Sequence, residues 1–129
     1  MQKDIQGRRV LLDENVPIGI VEQLPHCIVT STQEEEWAGV SNGNLLRAAK
    51  NSRYDIFVTG DKKLPRENNL EEIGLAIVLL STTHWPTIQA HPELIGPAIE
   101  QAAPGKCTEV TYPQRPQQRY PGPPSDDLG

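Results

Sequence analysis

Apolar residues fall along this chain in short, dense runs, not in long helical stripes. Val10-Leu11-Leu12, Cys27-Ile28-Val29-Thr30, Ile56-Phe57-Val58-Thr59 and Leu75-Ala76-Ile77-Val78-Leu79-Leu80 are the main ones. Short runs that are apolar on both faces read as buried strands of a parallel sheet. The segments between them predict helices. Pro17 suits the first turn of a helix that runs to about Leu24, where Pro25 and His26 break it. Asn42 is placed to cap a helix through Leu45, Leu46, Ala48 and Ala49. Pro92 opens a last helix with Leu94, Ile95, Ala98, Ile99 and Ala102 on one side. Residues 31–41 read as a loop with one helical turn at Gln33 to Trp37, Lys62 to Asn69 as polar and irregular, and Ser81 to His91 as a loop. Strands alternating with helices predict an α/β fold with a parallel sheet and right-handed crossovers.

Two of the strands stop abruptly at a carboxylate. The first runs Arg9-Val10-Leu11-Leu12-Asp13, the second Ile56-Phe57-Val58-Thr59-Gly60-Asp61. In an open α/β sheet the ligand crevice lies outside the carboxyl ends of the strands. If the two strands are neighbours, Asp13 and Asp61 project into one crevice. Carboxylates held close repel each other and require a cation or a shared proton. An oxygen-seeking divalent ion, Mg²⁺ or Mn²⁺, is the natural partner.

Composition narrows this picture. The chain has 129 residues, the size of one domain. Its apolar share of 36% is low for a globular domain, and the C-terminal end accounts for part of the deficit. Six of the 12 prolines lie between Pro104 and Gly129. We therefore expect an α/β domain over residues 1–103, packed from about residue 8, and a Pro-rich tail over 104–129 in which Thr108 to Tyr112 adds an edge strand. The net charge is −5, and the tail is neutral, which leaves 9 bases against 14 acids in the domain. That balance argues against a nucleic-acid binder that works by charge alone. It leaves room for a nuclease whose acids hold metal, because the ion reverses the local field. Cys27 and Cys107 make no disulfide framework, the N-terminus is too polar for a signal peptide, and no run is long enough to span a membrane. The expected setting is the reduced cytoplasm.

Each candidate residue has a plainer role to set beside its chemistry. Asp13 could cap the following helix, but Asn15 is closer to that helix and caps it equally well. Asp61 could be a turn residue after Gly60, yet it repeats the strand-end position of Asp13. Thr59 could orient a carboxylate or simply fill the strand. Glu14 points away from the crevice by alternation. Lys62, Lys63 and Arg66 could grip phosphates or form a solvated charge run. Glu34-Glu35-Glu36 reads as a solvated face, with Glu36 kept as a reserve ligand. Asn42 is a cap first and a weak, uncharged metal ligand second. Trp37 and Trp85 suit packing better than base stacking, and His26, His84 and His91 lack metal-ligand spacing.

Four motifs in order resemble one known group. Leu11-Leu12-Asp13-Glu14-Asn15-Val16-Pro17 looks like the start of PIN-like proteins related to VapC-type toxins. Glu36-Trp37-Ala38-Gly39-Val40-Ser41-Asn42-Gly43-Asn44-Leu45-Leu46-Arg47-Ala48-Ala49 resembles the opening of their central helix. Phe57-Val58-Thr59-Gly60-Asp61-Lys62-Lys63-Leu64 resembles their strand ending in Thr-x-Asp. Ile77-Val78-Leu79-Leu80-Ser81 and Trp85-Pro86 resemble the closing strand and loop of a small bacterial branch. The likeness covers roughly residues 8 to 110. It implies a three-layer α/β/α sandwich around a parallel sheet, and a Mg²⁺- or Mn²⁺-dependent endoribonuclease acting on RNA. It also implies a toxin–antitoxin setting with a small antitoxin protein. A homodimer is a further expectation. Carried over by motif, Asp13 and Asp61 are the catalytic, metal-holding acids; from the residues themselves we expect Asn42 as a weak ligand, and Lys62, Arg66 and Thr59 to meet substrate. The chain departs from the pattern at Asn42, where many relatives carry an acid; an amide there lowers metal affinity.

Two competing readings remain. One is a catalytically degenerate PIN-like module that binds a protein partner, favoured by the amide at position 42 and the acidic surface, with the tail as a docking segment. The weaker one is a phospho-aspartate receiver, which lacks paired acids after the first strand.

Overall fold

The computed structural model describes residues 7–113. Five strands are present: β1 (Arg9–Leu12), β2 (Ile28–Ser31), β3 (Ile56–Thr59), β4 (Ala76–Leu80) and β5 (Cys107–Val110). They form one sheet in the order β2-β1-β3-β4-β5, and every pairing is parallel. The fold is thus an α/β sandwich, as expected. Among the described residues, no helix is long and apolar enough to cross a membrane.

Strand alternation splits the core in two. Val10, Leu12, Ile56, Val58, Val78 and Leu80 face one side, where Ile20, Leu24, Ile88, Ile95 and Ile99 cover them. Leu11, Phe57 and Ile77 face the other, under Leu45, Leu46, Ala49 and Leu64. The second layer is built by α1 (Asn42–Asn51), α2 (Leu64–Glu67) and α3 (Leu70–Ile73); the first by a 3₁₀ helix (Ile18–Gln23), α4 (Trp85–Ala90) and α5 (Ile95–Gln101). Burial on both faces explains why the inner strands β1, β3 and β4 carry no polar alternation.

Several expected elements are corrected. The helix after Pro17 is 3₁₀, not α. Its Ile18-Gly19-Ile20-Val21 run is a poor α former, and Trp85 lies so close to Gly19 that a Cβ there would meet the indole at 2.6 Å. The irregular stretch expected at Lys62 to Asn69 holds α2, anchored by buried Leu64, and is followed by α3, whose cap is the Asn69 side chain accepting from Glu72 N at 3.2 Å. The loop expected at Ser81 to His91 contains α4, pinned by buried Ile88. The last helix starts at Ile95, three residues beyond Pro92. The edge strand expected at Thr108 to Tyr112 is β5, two residues earlier at its C-terminal end. Val110 and Tyr112 are both buried in the first core half, so the packed body reaches past residue 103. The remainder of the expected tail, 114–129, lies outside the described residues.

Candidate active site at the strand ends

β1 sits between β2 and β3, so the chain leaves the centre of the sheet in opposite directions on its two sides. That switch point leaves a crevice beyond the carboxyl ends of β1 and β3. Asp13 follows β1 there and Asp61 follows β3 by two residues.

A buried hydroxyl links the two. Thr59, the last residue of β3, is fully buried; its Oγ1 donates to Asp13 Oδ2 at 2.7 Å and accepts from Asp61 N at 3.0 Å. Asp13 is itself buried, and its other oxygen accepts from Glu14 N at 2.8 Å. Both of these donors are neutral. Asp61 is half-buried and closes a turn by accepting from Lys63 N at 2.9 Å. The first strand end is also strapped to the third by the backbone, Asp13 N donating to Val58 O at 2.9 Å.

Asn42 and Asn15 both do something other than capping. The N-cap of α1 is Ser41, so Asn42 falls one position inside the helix and its Nδ2 reaches Asp61 Oδ2 at a long 3.4 Å. The expected cap role for Asn42 is thus replaced by a place beside the acids. Asn15 makes no cap for the 3₁₀ helix, which follows Pro17; its Oδ1 accepts from Gly60 N at 3.1 Å. Gly60 is squeezed on the other side, where a Cβ would overlap the Thr83 methyl group. Neither the Asn15 strap nor the Thr83 contact has a signal in local sequence.

The other expected site residues lie further out. Lys62 and Arg66 are exposed and line clefts that adjoin the Asp61 turn through Lys62 but include neither acid. Glu36 is exposed and joins no acidic group: among the described residues, no three His, Cys, Asp or Glu side chains gather at one point. Its neighbour Glu35 accepts a short hydrogen bond from the Tyr54 hydroxyl. Trp37 packs edge-on to Tyr54 with ring centroids 6.3 Å apart, and Trp85 covers Gly19, so both tryptophans pack as expected. His84 Nδ1 pairs with Thr87 Oγ1 at 2.9 Å and His91 with Glu93 at 3.5 Å. Neither Cys27 nor Cys107 is in a disulfide, and burial raises the pKa of both thiols.

The donor set at the crevice is all oxygen, two carboxylates and a hydroxyl, with an amide alongside. Hard divalent cations take such ligands, and Mg²⁺ in particular is commonly held by one or two carboxylates with water filling its other positions. No family model, curated protein or solved structure matches the chain.

Proposed function

We propose that the chain is a PIN-like, Mg²⁺- or Mn²⁺-dependent endoribonuclease, the toxin of a cytoplasmic toxin–antitoxin pair whose partner is a small antitoxin protein. The observation that carries this reading is the buried Asp13 carboxylate, tied through Thr59 Oγ1 to the turn that bears Asp61. A buried carboxylate that accepts only from neutral donors, with a second acid on the adjoining turn, is suited to a cation.

Asp13 and Asp61 would hold the ion. When bound, it supplies Lewis-acid polarisation of the phosphodiester and of the attacking water. Thr59 fixes one Asp13 oxygen, so the carboxylate stays oriented without reorganising. Asn42 adds an uncharged donor beside Asp61 and holds the site to two acids, which favours weak, water-rich metal binding. Lys62, which follows Asp61 directly, and Arg66 are both exposed and meet the RNA strand.

The test is calorimetric titration of Mn²⁺ into wild type, Asp13→Asn and Asp61→Asn. Binding in the wild type that is lost in both variants is expected. No wild-type binding up to millimolar metal, with no RNA cleavage, would overturn the reading and leave a protein-binding module.

A further inference from the structure

Two clefts open beside the acids, over the carboxyl ends of β4 and β5, and both are bordered by Lys62. The smaller has a volume of 370 Å³ and is lined by Lys62, Ser81, Thr82, His84, Thr87 and Tyr112. The larger, of 630 Å³, is lined by Lys62, Pro65, Arg66, Leu70, Leu79 and Glu109. Both volumes fall in the range that holds small ligands.

Hydrogen bonding gives the smaller cleft a definite polarity. Ser81 Oγ accepts from Tyr112 N at 2.9 Å, and Thr82 Oγ1 accepts from His84 N at 3.1 Å. A hydroxyl carries one proton to donate. With backbone N–H groups on their acceptor sides, both hydroxyls keep that proton for a ligand. Lys62 adds an ammonium, and no carboxylate is among the described residues lining this cleft. Two O–H donors and a cation in a chain of net charge −5 select an anion with several acceptor oxygens, which describes a phosphate. The loop carrying these hydroxyls is seated on the β3 end by the Thr83 methyl over Gly60, so the donors are fixed relative to the acids.

The larger cleft is more apolar. Leu70, Leu79 and Pro65 line it, with Arg66, Lys62 and Glu109 as its charged residues. An apolar lining beside a guanidinium suits the face of a nucleobase.

We propose that the joined clefts form a nucleotide subsite, with the phosphate at Ser81, Thr82 and Lys62 and the base over Leu70 and Leu79 beside Arg66. The inference rests on the ribonuclease reading, because the seated unit is a neighbour of the scissile phosphate along the RNA strand. Lys62, Ser81 and Thr111 border both halves, and the acids need not hold metal for the subsite to fill.

The test is a titration of the full chain with adenosine 5′-monophosphate in EDTA, followed by NMR and calorimetry. Saturable binding is expected, weakened about tenfold or more by Lys62→Ala, the effect of losing one charge-assisted contact. Ser81→Ala with Thr82→Val should weaken it as well, and Asp13→Asn should leave it unchanged. Ribose 5-phosphate and adenosine should each bind more weakly than the whole nucleotide. No saturation below about 10 mM would overturn the subsite. So would equal affinity in Lys62→Ala, or adenosine binding as tightly as its monophosphate. Nucleotide binding together with a blank Mn²⁺ titration would sink the nuclease reading alone; metal binding without nucleotide binding would sink the subsite alone.

Discussion

Replacing Thr59 tests the link between the acids, and the choice of replacement makes the test one of rank order. Thr59→Val keeps the shape and removes the hydroxyl. Asp13 Oδ2 then loses a 2.7 Å donor and Asp61 N loses its 3.0 Å acceptor. A hydrogen bond to a charged group contributes about 1.5–3 kcal/mol, and a stranded buried N–H costs about 1–3 kcal/mol. Asp61 is half-buried, so water relieves its amide in part. Valine recovers roughly 1 kcal/mol as an apolar group in a buried strand position. The net loss is about 2–3 kcal/mol. Thr59→Ser does the reverse: it keeps the hydroxyl and deletes a methyl, at about 1 kcal/mol with its small cavity. Urea unfolding followed by circular dichroism gives both values, with the m-value unchanged. At roughly 4–8 °C per kcal/mol for a domain near this size, the valine variant should melt about 10 °C or more below wild type. A serine variant as unstable as the valine variant would refute the argument, because the methyl and not the hydroxyl would then be what the site requires.

Three more outcomes follow from other contacts. Gly60→Ala should cost about 1–3 kcal/mol by driving a methyl into Thr83, and Thr83→Ser in the same chain should restore most of it; thermal melts of the two single variants and the double variant measure the recovery. The Tyr112 phenol, its hydroxyl buried without a partner among the described residues, is pushed up to about 12 by burial, with Glu93 adding to the effect. Unfolded tyrosine ionises near pH 10, so the unfolded state sheds a proton that the native state keeps, and stability should be whole below pH 10 and fall between about 10 and 12. Tyr112→Phe should flatten much of that fall in alkaline denaturation, leave the part due to the likewise raised Tyr54, and cost little at pH 7. Asn42→Asp should lower the melting temperature in EDTA by setting a carboxylate against Asp61, and should raise Mn²⁺ affinity by roughly tenfold through added ligand charge.

The parts of this fold legible in the sequence are those buried on two sides. β3 and β4 are buried at every position, and an uninterrupted apolar run marks them without any tertiary knowledge. Asp13 and Asp61 were legible for the same reason, as the first charges after such runs. The short helices were not. α2 and α3 have four residues each and α4 has six, with at most one buried anchor apiece, too little for a 3.6-residue period to register. β5 was only partly legible, since its burial is confined to one end of a Cys-Thr-Glu-Val strand. At the site, Asn15 and Asn42 both have cap chemistry by composition. Which donor or acceptor an Asn meets depends on a strand or turn more than 15 residues away, as the Gly60 and Asp61 contacts show.

The first strand the chain makes ends inside the sheet, flanked on both sides. Asp13 and Thr59 are 46 residues apart in sequence, and β1 gains its second neighbour only when β3 arrives. At synthesis rates of about 5–20 residues per second, Asp13 leaves the ribosome several seconds before its partner exists. Parallel pairing over such a separation is a slow, non-local step. The docking of β3 on β1 is therefore the same event that creates the acid pair, and a chain interrupted before Thr59 carries neither. An ion held by both acids stabilises only the closed sheet. Metal retention would thus report the β1–β3 pairing, at a single pair of residues.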